Sequence, residues 1–320
     1  MTDGPARATA TTRQDRARAL AGQAIGEVGR VILGKQEEIR LAIACLLAHG
    51  HLLIEDVPGV GKTLLARSLA AVLGLSFRRI QFTSDLLPAD IIGAQVFDRG
   101  SGRFAFQPGP LFAQVVLADE INRAPPKAQS ALLEAMEEQQ VSVDGVSHAL
   151  PAPFFVIATQ NPLRQVGTFA LPESQLDRFL MRIGLGYPAE ALERKLLRGD
   201  DRRHLLADLK PLMGSAELAE LHAAARAVQV TDAVLDYVQA LVRYTRESPR
   251  LELGLSPRAA TDLVAAARGW AMMGGHGGVY PEDVQAVFAA VAGHRLHWRD
   301  TAVPGDRDPA ASVLDEVAIP

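Results

Sequence analysis

The sequence predicts an α/β fold in which a parallel five-stranded sheet is flanked by helices, carries two β-hairpin insertions and is followed by an all-helical domain. Three observations predict it. Five short apolar runs, at residues 51–55, 77–82, 115–118, 154–159 and 181–185, are separated by turns or helical stretches, the pattern of strands buried on both faces. Two segments between these runs alternate apolar and polar residues around turn-forming residues. Beyond Tyr187-Pro188 the strand signals vanish, and Leu218, Leu221, Ala225 and Val228, then Leu235, Val238, Leu241 and Val242, follow helical spacing.

Taken in order, residues 1–12 hold Ala, Thr, Gly and Pro with few large apolar groups. They are expected to be a disordered tail, because little burial repays the entropy of ordering them. An α/β unit is expected over 13–186. It opens with two amphipathic helices between residues 14 and 47, broken near Gly34, and the sheet follows. The first hairpin is expected at 92–106, around Asp98-Arg99-Gly100-Ser101-Gly102, and the second at 141–150, turning at Asp144-Gly145. A boundary near Gly186 leads into a helical domain over 187–303, and the polar, Pro-containing residues 304–320 are expected to be loose.

The 320 residues are 48% hydrophobic, enough for sizeable cores. A formal charge of -4 provides no global cationic field to gather nucleic acid or anionic lipid. The single cysteine, Cys45, allows no internal disulfide and lies in an apolar run, as a buried small hydrophobe would. Apolar stretches fall short of the ~20 residues a membrane span needs, and no signal-peptide core is present. A cytoplasmic protein is expected.

The chemistry begins where the first strand runs into Asp56-Val57-Pro58-Gly59-Val60-Gly61-Lys62-Thr63 and then into a helix opening with Leu64. Phosphate oxygens need converging N–H donors, which a backbone supplies where glycines let it curl, here Gly59 and Gly61. The helix start adds its positive dipole end. Lys62 is expected to reach the β- and γ-phosphates of ATP, and the Thr63 hydroxyl to ligate Mg²⁺. Asp56 departs from the pattern, which has glycine there. The third run, Val115-Val116-Leu117-Ala118, ends in Asp119-Glu120. A parallel sheet delivers such carboxylates to the same edge as the phosphate loop. Asp119 suits Mg²⁺ and Glu120 suits activation of the attacking water, whereas a strand-to-loop cap would be the bland role. Asn161, after the fourth run, could hold that water or form a turn before Pro162. Arg178, in Leu176-Asp177-Arg178-Phe179-Leu180, suits either a finger offered to a neighbour's nucleotide or a surface ion pair.

At these residues the chain resembles the AAA+ superfamily of P-loop NTPases, and within it the MoxR family. The most specific stretches are Gly109-Pro110-Leu111-Phe112, Leu117-Ala118-Asp119-Glu120-Ile121-Asn122-Arg123-Ala124, Gln129-Ser130-Ala131-Leu132-Leu133-Glu134-Ala135-Met136-Glu137-Glu138, Ala158-Thr159-Gln160-Asn161-Pro162 and Leu171-Pro172-Glu173-Ser174-Gln175-Leu176-Asp177-Arg178-Phe179-Leu180. The likeness spans about residues 25–295. It implies a helical lid after the α/β core, a sensor 1 role for Asn161, the arginine finger for Arg178, and sensor 2 for Arg258 in Leu255-Ser256-Pro257-Arg258-Ala259. It implies an adenine-side segment at Ile32 and Gly34, and a possible second interface charge at Arg123. The first loop position varies in this family, which accommodates Asp56, while Leu163-Arg164 replace an expected acidic residue. The two hairpins match the helix-2 insert and the pre-sensor-1 hairpin of one AAA+ subgroup.

The resemblance further implies a homo-oligomeric ring, usually a hexamer, and ATP hydrolysis with Mg²⁺. It implies a chaperone-like action on a protein client, including metal or cofactor insertion, and a partner with a von Willebrand factor A domain. A DNA translocase is the alternative, since relatives with both hairpins move on nucleic acid. It is disfavoured by the second hairpin, which has Asp144 and His148 but no Lys or Arg, although the first has Arg99 and Arg103. A nucleotide-dependent switch without turnover is a further alternative, disfavoured by the presence of Glu120, Asn161 and Arg178 together. His294 and His297 are expected to be a solvated pair rather than metal ligands. Phe104 and Phe106 suit hairpin packing or a client contact.

Overall fold

A computed structural model of the chain describes residues 4–100, 102–161, 168–197, 202–300 and 308–319. Helices α1 (Gly4–Val31) and α2 (Gln36–Leu47) lead into β1 (Leu52–Glu55), α3 (Lys62–Val72), β2 (Phe77–Gln81) and α4 (Pro88–Ile92). The first hairpin, β3 (Gly93–Asp98) and β4 (Arg103–Pro108), precedes β5 (Val115–Asp119), a 3₁₀ turn (Ile121–Arg123) and α5 (Pro126–Glu138). The second hairpin, β6 (Gln140–Val143) and β7 (Val146–Ala149), precedes β8 (Phe155–Gln160), α6 (Glu173–Leu176) and β9 (Met181–Ile183). Helices follow: α7 (Glu190–Leu197), α8 (Arg202–Asp208), α9 (Ser215–Ala227), α10 (Asp232–Glu247), α11 (Pro257–Gly274), α12 (Pro281–Ala292) and α13 (Pro309–Glu316).

The sheet is five-stranded in the order β2-β5-β8-β1-β9, and every pairing within it is parallel. Side chains alternate across it. Leu52, Ile54, Val115, Leu117, Phe155 and Ile157 enter one core cluster, with α1, α2, α3 and helices beyond Gly186. Leu53, Val116, Ala118, Val156 and Ala158 enter the other, beneath α5 and the hairpins. Burial on both faces explains why β5 and β8 read as unbroken apolar runs. Both hairpins form antiparallel pairs at the expected places, the second turning through Asp144-Gly145 with φ of 50° and 79°. They touch where Phe106 stacks on His148, with ring centroids 3.8 Å apart.

Two expectations about the chain ends are corrected. Residues 4–12 continue α1 instead of forming a disordered tail; they extend a helix already packed through Ala17, Ala21, Ala24 and Val28, so no new helix has to be nucleated. The C-terminal segment expected to be loose contains α13, in which Ala310 and Val313 are buried. Its apolar stripe is short, but Pro309 presets the first helical φ. Residues 1–3 and 301–307, and Leu163-Arg164, lie outside the described residues. The expected solvated histidine pair is also corrected: His297 is exposed, but His294 is 2% exposed and its Nε2 donates to the Phe179 carbonyl at 2.9 Å. Among the described residues no helix is long and apolar enough to cross a membrane.

Buried imidazoles make this fold sensitive to acid. Burial lowers the pKa of His51 and of His222 from 6.5 to about 4, and that of His294 well below its ordinary value. His51 Nδ1 accepts from the Val156 N–H at 3.0 Å, so Nε2 carries the proton and faces the Met136 carbonyl. The folded state therefore resists protonation that the unfolded chain accepts near its ordinary pKa. The stabilisation is full above that pKa and is lost as pH falls toward 4. His51 alone contributes on the order of 3 kcal/mol. Urea midpoints should drop between about pH 7 and about pH 5.5, where ordinary carboxylates stay ionised. An unchanged midpoint would show that these imidazoles charge without cost.

Candidate functional site

The carboxyl edge of the sheet gathers most of the polar residues singled out in the sequence. Between β1 and α3 the loop passes through Gly59 and Gly61 with φ of +87° and +101°. A Cβ at either would meet nothing within 4 Å, so backbone conformation rather than crowding reserves these places for glycine. The first turn of α3 then begins at Lys62, and its N–H groups have no intrahelical partners. Pro58 is exposed and Val60 and Leu64 pack partly on the core, which fixes the loop against the helix it feeds.

Lys62 is 8% exposed, and its Nζ donates to Asn161 Oδ1 at 3.0 Å and to the Asp56 carbonyl. Burial lowers its pKa, while Asp56, Asp119, Glu120 and Glu55 act in the opposite direction. The other end of the Asn161 amide, Nδ2, donates to Glu120 Oε1 at 3.2 Å. Only this orientation serves both an ammonium donor and a carboxylate acceptor. Asn161 thus bridges the phosphate loop and the carboxylate at the end of β5.

Glu120 adopts left-handed backbone, φ 57° and ψ 49°, a conformation costing ~1–2 kcal/mol for a non-glycine residue. Its N–H donates to Thr159 Oγ1 at 2.9 Å, and that hydroxyl donates to Asp119 Oδ1 at 2.6 Å. Glu120 Oε2 accepts from Gln81 Nε2 at 3.0 Å and pairs with Arg123 Nε at 3.1 Å. Arg123, expected as an interface charge, is therefore engaged by Glu120 of its own chain. Asp119 is 7% exposed, and its Oδ2 accepts from Arg79 Nε and Nη2 at 3.0 and 2.6 Å. The hard oxygen donors Thr63 and Asp119 fit Mg²⁺, which keeps most of its water and phosphate ligands. Among the described residues no group of three or more His, Cys, Asp and Glu side chains forms an all-protein metal site.

Arg79, Gln81 and Thr159 were not foreseen, although the polar alternation of Arg79 and Gln81 on an edge strand was visible in the sequence. Asp56 was foreseen only as a departure. Its Oδ1 accepts from the Val57 N–H at 2.7 Å and its Oδ2 accepts from the Gly186 N–H, which ties the loop to the start of the helical region. Gly34 packs against α7, just beyond Gly186. A Cβ at Gly34 would stand 2.3 Å from Leu192 Cδ1, and one at Gly186 would stand 3.8 Å from Lys35 Nζ. Ile32 itself is 6% exposed in the core.

Arg178 and Arg258 are not part of this cluster. Arg178 Nη1 donates to the Leu133 carbonyl at 2.6 Å, and Arg258 Nη1 pairs with Glu137 Oε2 at 2.7 Å, one turn further along α5. Between them in sequence Met136 meets His51, which stands at the amino end of β1. Lys62 follows the carboxyl end of that four-residue strand, which spans ~13 Å at ~3.3 Å per residue. The anion that offsets Arg258 in this chain is Glu137.

A protein-family profile described as the ATPase family associated with various cellular activities (AAA) matches residues 51–181, and one described as the AAA lid domain matches residues 243–317. The uncharacterized protein YeaC of Bacillus subtilis is 43% identical over 277 residues, 87% of each chain. Chaperone MoxR1 of Mycobacterium tuberculosis is 41% identical over 310 residues, covering 93% of this chain and 82% of its own. Protein MoxR of Methylorubrum extorquens is 34% identical over 297 residues, covering 84% of this chain and 85% of its own. A crystal structure of a candidate ATPase from Cytophaga hutchinsonii superposes with a TM-score of 0.90 at 34% identity, over 99% of this chain and 100% of that one. The agreement extends over nearly the whole length, helical region included, and the chain belongs to the MoxR family of AAA+ ATPases.

Proposed function

We propose that the chain is a Mg²⁺-dependent ATPase that works in a homo-oligomeric ring, a hexamer as is usual in the family, and spends hydrolysis on remodelling a protein client. The observation that carries the chemical part is the Asn161 amide, held between Lys62 Nζ and Glu120 Oε1. In this reading Gly59, Val60, Gly61 and Lys62 receive the phosphates, Ile32 and Gly34 flank the adenine, and Thr63 and Asp119 hold the cation. Mg²⁺ held by Thr63 and Asp119 would supply charge neutralisation to the phosphates. Glu120 takes the proton of the attacking water, and Asn161 fixes both that carboxylate and the ammonium opposite it.

Arg178 and Arg258 serve the nucleotide of the next subunit, since each is anchored at the far edge of its own sheet. Hydrolysis then depends on assembly, because the developing charge lacks its cation without a neighbour. The name of the mycobacterial relative supports a chaperone role. A client in the cytoplasm, a partner with a von Willebrand factor A domain, and metal or cofactor insertion complete the reading. Asp98 offsets one of the two arginines of the first hairpin, Arg99 and Arg103, and the second hairpin turns at Asp144 without Lys or Arg; so small a cationic balance favours a protein client over DNA.

Glu120→Gln should retain ATP and lose turnover by at least ~10²-fold, whereas Lys62→Ala should weaken nucleotide binding itself. Isothermal titration and phosphate release distinguish the two, and wild-type turnover in Glu120→Gln would remove Glu120 from the mechanism. Arg178→Ala should cost ~10³-fold or more in rate, yet mixing it with Glu120→Gln subunits should restore part of the activity. Subunit exchange without recovery would argue against a finger acting across the interface. Duplex and single-stranded DNA should leave the rate unchanged at physiological salt, while the client should alter it. Salt-sensitive stimulation by DNA would favour a translocase.

A further inference from the structure

One link between the sheet and the helices beyond it is a guanidinium that the reading above does not use. Arg295 follows α12, and its side chain is 6% exposed. Its Nε donates to Asp177 Oδ1 at 2.7 Å, and its Nη2 to the carbonyls of Asp177 and Phe179 and to Asp262 Oδ2, each at 3.0 Å. Its Nη1 donates to the carbonyls of Leu180 and Val291 at 3.2 and 2.5 Å. All three nitrogens are engaged. The two carboxylates it joins have a particular relation to the arginines at the amino edge. Asp177 immediately precedes Arg178, and Asp262 lies four residues, about one helical turn, after Arg258 on α11. Asp177 also accepts from Ser256 Oγ at 3.2 Å, and Ser256 caps α11 by accepting from the Ala259 N–H at 3.0 Å.

We propose that Arg295 is a positioning residue that fixes the spacing of Arg178 and Arg258, so that both reach one nucleotide of the neighbouring subunit together. This rests on the trans reading of those arginines given above. The physical need is clear. Two guanidinium groups brought to one polyphosphate repel each other until the anion arrives, and each resides on a separate element, the segment before β9 and α11. A buried cation between Asp177 and Asp262 locks these elements together, while the two arginines engage Leu133 and Glu137 instead. Lysine cannot reproduce the planar fork that makes these contacts simultaneously.

The test uses full-length subunits mixed in rings. Arg295→Lys should bind ATP with an affinity within about twofold of wild type but lose about 10²-fold in kcat, the scale expected for misplaced catalytic groups. Because its own Lys62, Glu120 and Asn161 are intact, it should regain activity when mixed with Glu120→Gln subunits, which supply well-placed arginines. It should regain none with Arg178→Ala subunits. A defect in its own nucleotide site would give the reverse pattern, and general misfolding would give recovery with neither; either result overturns the proposal, as does wild-type turnover. If Arg295→Lys does not fold, Asp262→Asn, which leaves Arg295 its other acceptors, should give the same pairing pattern with a smaller loss, and the same outcomes decide. The control mixture of Arg178→Ala with Glu120→Gln separates the two levels. If that mixture stays inactive the trans reading fails; if it recovers and the Arg295 pattern does not appear, only the positioning role fails.

Discussion

Parallel pairing gives a sheet two chemically different edges, and this polarity organises everything else in the chain. Because β2, β5, β8, β1 and β9 all run in one direction, whatever follows a strand appears at one edge and whatever precedes it appears at the other. The phosphate loop, Asp119-Glu120 and Asn161 each follow a strand, so they meet although they are separated by up to 99 residues in sequence. Arg178 precedes β9 and therefore cannot join them. The left-handed backbone at Glu120 is the local cost of turning its carboxylate back over the edge, and its hydrogen bonds to Thr159, Asn161 and Gln81 offset it.

Within the carboxyl edge the amide of Asn161 has a property that neither a carboxylate nor an ammonium shares, since it offers an acceptor to Lys62 and a donor to Glu120 at once. It keeps opposite charges apart at a fixed spacing while satisfying both. That matters for Lys62, whose burial disfavours its charged form and which therefore needs oriented acceptors. The Arg79–Asp119 pair has a different weight. Arg79 is 49% exposed, so solvent screening leaves it modest in energy, and its effect is on the orientation of Asp119.

Helix α5 connects the two edges. It begins just after Arg123, which pairs with Glu120, and its 13 residues span ~20 Å before ending beside Arg178 and Arg258. The helical region is likewise fastened at both edges, through Asp56 to Gly186 and through Arg295 to Asp177. A nucleotide held at one edge and a neighbour docked at the other would act on the same rigid elements. In the proposed ring this geometry would couple assembly to chemistry.

The sequence by itself determined the strands, both hairpins, the glycine loop and the nature of the residues at the carboxyl edge. Each of these is a local property: apolar runs of strand length, alternation around Asp144-Gly145, and Gly-Lys-Thr between a strand and a helix. What only the tertiary structure decided depends on distant packing. Residues 4–12 are helical because α1 is held through Ala17 to Val28, and α13 is ordered because Val313 finds a core. His294 is buried because the chain after α12 docks against Phe179. Arg258 is offset by Glu137 rather than by anything near its own phosphate loop. The role of Asp56 became visible only when Gly186, 130 residues away, brought it an N–H donor. Local spacing specifies what a segment can be. Which buried charges meet is set by how the elements pack, and no spacing rule along the chain encodes that.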